Sequence, residues 1–316
     1  MSWDIMQGDC LEQLAQMDAQ SVHTCATSPP YYGLRDYGVE GQIGLEDTPD
    51  AYIERLVGVF KEVRRVLRDD GTVWLNLGDS YSGGTTGRTD KNTGGGLYQG
   101  QQNGWTGKET HRRHIPTGLK AKDLLMIPAR VALALQADGW YLRSDIIWAK
   151  PIPMPEPVTD RPTSAHEHIF LMAKQERYYY DADAIREGMD QEPDRRLRSS
   201  TFNKVQKIGH AIGKAEYVET VGRNRRNVWT VATQPLKEAH FAAFPTKLIE
   251  PCILAGCPKG GTVLDPFAGA GTTLLVADRH NRHGVGIELN PEYCALARRR
   301  LQDDCPLFHG IEGDDK

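Results

Sequence analysis

The chain has 316 residues, 39% of them hydrophobic and 25% charged, with a formal net charge of −4. That is enough chain to bury a core, and the composition is ordinary for a globular protein. No apolar run reaches the roughly 18–20 residues of a bilayer-spanning helix, and Met1 to Cys10 lack a signal-peptide pattern, so a cytoplasmic location is expected.

Strand and helix signals alternate from the start. Asp4–Gln7 reads as a short strand ending at Gly8-Asp9, and Leu11–Met17 as a helix. Val22–Ala26 is a buried strand that runs straight into Thr27-Ser28-Pro29-Pro30. Ala51–Leu67 carries apolar residues at helical spacing (Ile53, Leu56, Val57, Phe60, Val63, Val66, Leu67) and is expected to stop at Asp69-Asp70-Gly71. Thr72–Leu77 follows as a strand, Asp123–Asp138 as a helix ended by Gly139, and Tyr141–Trp148 and Ile169–Ala173 as two more strands. Between them, Ser80–Lys122 is rich in Gly, Thr, Gln and Asn, with His111-Arg112-Arg113-His114 near its end. Its composition predicts a mobile loop over the active site. Further on come a helix over Phe244–Leu254, a strand over Thr262–Leu264, a helix over Thr272–Arg279, a strand over Val285–Glu288 and a closing helix over Pro291–Gln302. This alternation predicts an α/β fold with a mostly parallel, doubly wound sheet.

Charge is uneven. From Arg195 to Arg226 there are nine basic residues (Arg195, Arg196, Arg198, Lys204, Lys207, Lys214, Arg223, Arg225, Arg226) against Glu216 and Glu219, inside an acidic protein. A local excess of that kind suits contact with nucleic-acid phosphates better than a merely solvated face. The six cysteines are scattered, and Cys252 and Cys257 are too loosely spaced for a zinc knuckle. Reduced, buried thiols and no metal site are expected.

Two turns carry chemistry. In the first, Thr262 to Thr273, a strand breaks at Asp265-Pro266 and turns through Gly269 and Gly271 into a helix, where α/β sheets bind ligands. A dinucleotide turn wants a glycine where Leu274 stands, and a P-loop wants a lysine after Gly271. S-adenosylmethionine carries an ammonium and a sulfonium, which acidic Asp265 suits. Glu288, at the end of the next strand, is placed to accept hydrogen bonds from ribose hydroxyls.

In the second turn, Thr27-Ser28-Pro29-Pro30-Tyr31-Tyr32-Gly33, two prolines restrict the backbone so that the Ser28 side chain and the Pro29 carbonyl can point at one spot beside an aromatic ring. An aromatic amine is a poor nucleophile because its lone pair is delocalised into the ring. Two acceptors holding its hydrogens would orient it for attack on a methyl group. Tyr31 can stack on a base taken out of the duplex.

Together these turns resemble the amino-group DNA methyltransferases (adenine-N6 and cytosine-N4), with Ser28-Pro29-Pro30-Tyr31 as the catalytic motif and Phe267-Ala268-Gly269-Ala270-Gly271 as the cofactor motif. The catalytic motif comes first, with the basic segment between, an order similar to the permuted β class. The resemblance implies a Rossmann-like methyltransferase fold, with a catalytic half over 1–180, an inserted target-recognition region over 181–235 and a cofactor half over 236–316. It further implies that Asp9 and Cys10 reach the adenine of the cofactor, that Phe244, Pro245 and Lys247 meet its methionine end, and that Phe267, Thr272 and the two glycines line the rest. Trp148-Ala149-Lys150-Pro151 resembles the segment that closes the sheet. Double-stranded DNA is the expected partner, restriction-modification the expected setting and a homodimer the expected assembly. Arg195, Arg196, Arg198, Lys204, Lys207, Arg223, Arg225 and Arg226 are the expected DNA contacts. Adenine-N6 is favoured over cytosine-N4, although a serine at position 28 leaves that choice weaker than an aspartate would. A cytosine-C5 enzyme would need a Pro-Cys nucleophile, but Pro251-Cys252 lies on the helix leading to the cofactor strand. An RNA or protein methyltransferase, an inactive DNA-binding relative and a nicotinamide dehydrogenase are the competing readings.

Overall fold

In the computed structural model, which describes residues 2–83, 118–188, 222–234 and 244–304, the seven expected strands and one unexpected short strand form one sheet of eight. They are β1 (Trp3–Gln7), β2 (Val22–Thr27), β3 (Leu67–Leu77), β4 (Tyr141–Ala149), β5 (His166–Ala173), β6 (Val228–Thr230), β7 (Thr262–Asp265) and β8 (His283–Glu288). Their order in space is β1-β8-β7-β2-β3-β5-β4-β6. Every pairing is parallel except the two made by β5, which runs against β3 and β4. This is the Rossmann-like, mostly parallel sheet that the alternation predicts. The first and last strands of the sheet's cofactor side meet across the whole length of the chain, with Gln7 paired to Glu288.

Helices α1 (Cys10–Gln16), α2 (Pro49–Val66), α3 (Ile127–Ala137), α4 (Thr246–Gly256), α5 (Thr272–Arg279) and α6 (Pro291–Asp303) cover both faces. Along β3 the period-two alternation divides the core. Val73 and Leu75 join Leu14, Leu56, Phe60, Val63 and Leu135 on one face. Trp74 joins Trp148, Trp229, Leu248, Ile253 and Val276 on the other. Each such burial contributes about 1.5–3 kcal/mol, so the two layers fix which strands lie side by side.

Several boundaries differ from the sequence expectation, most of all around α2, β3 and α3. Helix α2 starts earlier, at Pro49, because Thr48 caps it through a bond from the Ala51 N–H (3.1 Å). It also ends earlier, at Val66, because buried Leu67 turns extended and pairs with Val22, so β3 already includes Asp69-Asp70-Gly71. Helix α3 begins at Ile127 rather than Asp123. Residues 122–125 instead pair with Ser80 and Ser82, and Met126 takes a left-handed φ of 55°. Asp79 then caps α3 from outside, accepting the Ile127 N–H at 2.9 Å. The interior of the predicted loop, 84–117, lies outside the described residues, as does 189–221 of the predicted recognition region. The end of that region is built into the sheet as β6, on which Trp229 is buried.

Candidate active site

Strands β2 and β7 are parallel neighbours, pairing Thr24 with Val263 and Cys25 with Leu264. Their carboxyl ends therefore release Ser28–Tyr31 and Pro266–Gly271 side by side, at the sheet edge where α/β folds bind ligands. Asp265 ties the two turns together. Its side chain is buried; Oδ1 accepts the Thr27 hydroxyl at 2.6 Å and the Phe267 N–H at 3.1 Å, and Oδ2 accepts the Thr273 hydroxyl at 2.6 Å. Burial pushes this carboxyl up to about 6, opposed by those three donors. The sequence casts Asp265 as facing a cation; in the fold it sits beneath the turn, engaged by three donors of the protein.

The two glycines of the turn differ. Gly269 has φ 51°, and a Cβ there would meet nothing within 4 Å, so the backbone opens onto free space. Gly271 has φ 75°, but a Cβ there would lie 3.0 Å from Ala297 Cβ; its freedom serves the approach of α6. Thr272 is buried beside it, 3.4 Å from an Arg300 nitrogen, and Arg300 also donates to the Ala270 carbonyl. Glu288 flanks the open space, accepting the Gly269 N–H on Oε2 and the Asn290 N–H on Oε1, each at 2.8 Å. Burial holds its carboxyl above the usual range. Each oxygen keeps a further lone pair for a ligand hydroxyl.

Asp9 and Cys10 come beside Glu288 because the Gly8 N–H donates to the Glu288 carbonyl at 3.0 Å. Asp9 Oδ1 caps α1, accepting the Leu11 N–H at 2.8 Å, and burial pushes the Cys10 thiol up to about 12. At the start of α4, Pro245 is buried, Phe244 packs against the core and Lys247 is exposed. The open space at Gly269, flanked by the Glu288 carboxylate, suits the diol of an adenosine.

On the catalytic side, Tyr52 donates to the Pro30 carbonyl at 2.9 Å and fixes the back of the turn. The Pro29 carbonyl takes no partner among the described residues. Tyr31 is pinned at both ends of its ring. Gly78 lies against it so closely that a Cβ would stand 2.6 Å from Tyr31 Cε2. Its hydroxyl donates to Glu167 Oε2 at 2.6 Å and receives the Ser28 hydroxyl at 3.3 Å. Glu167 is further held by Asn76 Nδ2 at 3.1 Å and by an ion pair with Lys150. Burial first, and the Glu167 charge second, push the Tyr31 hydroxyl well above the ordinary tyrosine range.

Glu167, Asn76 and Gly78 escape the sequence reading. Glu167 reaches the site because β5 is antiparallel, so its first residues stand at the edge where the parallel strands end, whereas Asn76 and Gly78 come from the carboxyl end of β3. A Lys150-Pro151 step after β4 and a His-Glu pair opening β5 were the signals available.

Of the expected DNA contacts, Arg195, Arg196, Arg198, Lys204 and Lys207 lie outside the described residues. Arg223 and Arg226 pair with Glu187 at 2.8 and 3.0 Å, and Arg225 lies 4.6 Å over the Trp229 ring. Glu187 and Arg223 also exchange backbone bonds of 3.0 Å, which tie residue 187 to residue 223 as a two-residue bridge.

A DNA methylase family model matches residues 22–299. The Type II methyltransferase M.Cfr9I of Citrobacter freundii is 46% identical over 303 residues, covering 95% of this chain and 88% of its own. M.SmaI of Serratia marcescens is 46% identical, covering 95% of this chain and 91% of its own. Among solved structures, the PvuII DNA methyltransferase (cytosine-N4-specific) aligns with a TM-score of 0.61 at 20% identity, over 96% of this chain and 91% of that one. A putative DNA modification methylase of Thermus thermophilus, complexed with S-adenosyl-L-methionine, aligns at 0.59 and 24% identity over 98% of both chains. At such identities the two structures speak for the fold.

Proposed function

Because the chain belongs to the DNA methylase family, we propose that it methylates the exocyclic amino nitrogen of a base flipped out of double-stranded DNA. As a Type II DNA methyltransferase using S-adenosylmethionine, it needs one cleft shared by two ligands. The observation that supports the reading is the Thr27–Asp265 bond of 2.6 Å, which joins the end of β2, just before Ser28, to the end of β7, just before the glycine turn.

When bound, S-adenosylmethionine supplies an electrophilic methyl group. Glu288, Asp9 and Cys10 would hold its adenosine, Gly269 and Phe267 the turn beneath it, and Phe244, Pro245 and Lys247 its methionine end. Thr272, Gly271 and Asp265 act from below, by keeping the turn in shape. Ser28 Oγ and the Pro29 carbonyl accept the two amine hydrogens and steer the lone pair outward, Pro30 rigidifies the turn, and Tyr31 stacks on the base. The proton leaves to solvent after transfer. Residues 181–235 serve as the target-recognition region, whose Arg195, Arg196, Arg198, Lys204 and Lys207 contact phosphates and position rather than specify.

Two amines compete. The adenine-N6 preference rests on the motif resemblance alone. Cytosine-N4 draws on a neutral serine, not a carboxylate, at position 28. We place cytosine-N4 first. Incubation with labelled cofactor and DNA, digestion to nucleosides and mass analysis decides: N4-methylcytosine is expected and N6-methyladenine reverses the choice. Label in 5-methylcytosine, in RNA or in protein overturns the reading.

A further inference from the structure

A serine hydroxyl can donate or accept, yet to hold an amine hydrogen it must accept. We infer that Glu167 is a positioning residue that sets the hydrogen-bond polarity of Ser28 through Tyr31, an inference that rests on the role proposed above for Ser28.

The chain of donors runs in one direction. A carboxylate offers only acceptors, and Glu167 meets a donor on each oxygen, Lys150 Nζ on Oε1 and the Asn76 amide on Oε2. The single Tyr31 proton therefore goes to Glu167, 2.6 Å away, rather than to Asn76 Oδ1 at 3.3 Å. With its proton committed, the Tyr31 oxygen can only receive from Ser28, 3.3 Å away. The Ser28 proton then points inward and its lone pairs are left for the cleft. The members cannot swing apart. Asn76 is fixed by donating to the His168 carbonyl at 3.1 Å, the Tyr31 ring lies on Gly78, and Lys150 sits 4.5 Å over the Trp148 ring. A polar group this far inside the site would otherwise be free to present either sense.

Glu167→Gln removes the directionality with little change of shape. Its amide can donate to Tyr31, which then donates to Ser28, and the serine proton is turned toward the substrate amine. The expected result is a kcat lower by on the order of 100-fold, with KM for S-adenosylmethionine unchanged. A role in folding alone would not produce the decisive signature, which is coupling. In a Ser28→Ala background the same Glu167→Gln change should cost less than about 3-fold, because no hydroxyl remains to be turned. Tyr31→Phe, which keeps the ring, should show the same dependence on Ser28 and decides the matter should Glu167→Gln fail to fold. Equal losses with Ser28 intact and in the Ser28→Ala background overturn the inference, as does a loss carried by the KM for cofactor. Failure of the functional reading looks different: the unmodified enzyme then puts no label on a DNA amine.

Discussion

At the residue scale, the groups proposed to meet cofactor and base stand where strands end. Ser28, Pro29, Gly269 and Glu288 stand at turns that any strand-then-glycine or strand-then-proline sequence announces, and the fold brings them to one edge. Gly78 gave no such sign. Its value lies in the missing Cβ, which would press to 2.6 Å from the Tyr31 ring. Gly78→Ala should therefore lower kcat about 10-fold or more with the cofactor KM nearly unchanged, and should cost stability as well because the ring must shift; unaltered kcat would show that the ring's seat does not matter. Asp265 offers a pH test. Its carboxyl lies at about 6, above an ordinary 3.8, so the folded state holds this proton more tightly than the unfolded one. The stability it contributes is complete below about pH 4 and is lost as pH rises through about 6. The unfolding free energy of the unmodified protein relative to Asp265→Asn should accordingly fall between those values in urea titrations. A difference that stays flat across them contradicts the assignment.

At the scale of elements, the amphipathic spacing located nearly every strand and helix, and the misplacements have local causes. Leu67 carries the right apolar phase for α2 but is claimed by the sheet through its pairing with Val22. Residues 123–126 look helical, yet the Asp123 carbonyl accepts the Ser82 N–H and the Leu125 N–H donates to the Ser80 carbonyl, contacts no window of sequence contains. Strand β6 is only three residues long, with Trp229 as its one buried side chain, too short for a periodicity to register. The dependence of the site on packing far from it can be tested at α4. There a Cβ on Gly256 would stand 2.6 Å from Trp74 Nε1, 2.8 Å from Thr24 Oγ1 and 2.9 Å from Thr72 Oγ1. Gly256→Ala should destabilise the protein by about 1–3 kcal/mol, because the helix must lift from β2 and β3. Chemical denaturation measures it, and a neutral effect would mean that the helix is looser on the sheet than its contacts indicate.

At the scale of the molecule, a net charge of −4 leaves DNA affinity to a local basic region, for which Arg195 to Arg226 is the candidate. Each phosphate contact steepens the dependence of log K on log salt by about 0.9, so Arg195, Arg196 and Arg198 replaced together by alanine should flatten the slope by about 2 to 3. An unchanged slope would move the DNA elsewhere. Methyl transfer requires that two turns, 238 residues apart at Thr27 and Asp265, form one cleft. A crystal structure with S-adenosylhomocysteine bound measures this most directly. The predicted result has the ribose on Glu288, the adenine beside Asp9 and the sulfur facing the Ser28 hydroxyl and the Pro29 carbonyl. A cofactor lying over Gly269 with its sulfur turned away from Ser28, or bound on another face of the sheet, would contradict it.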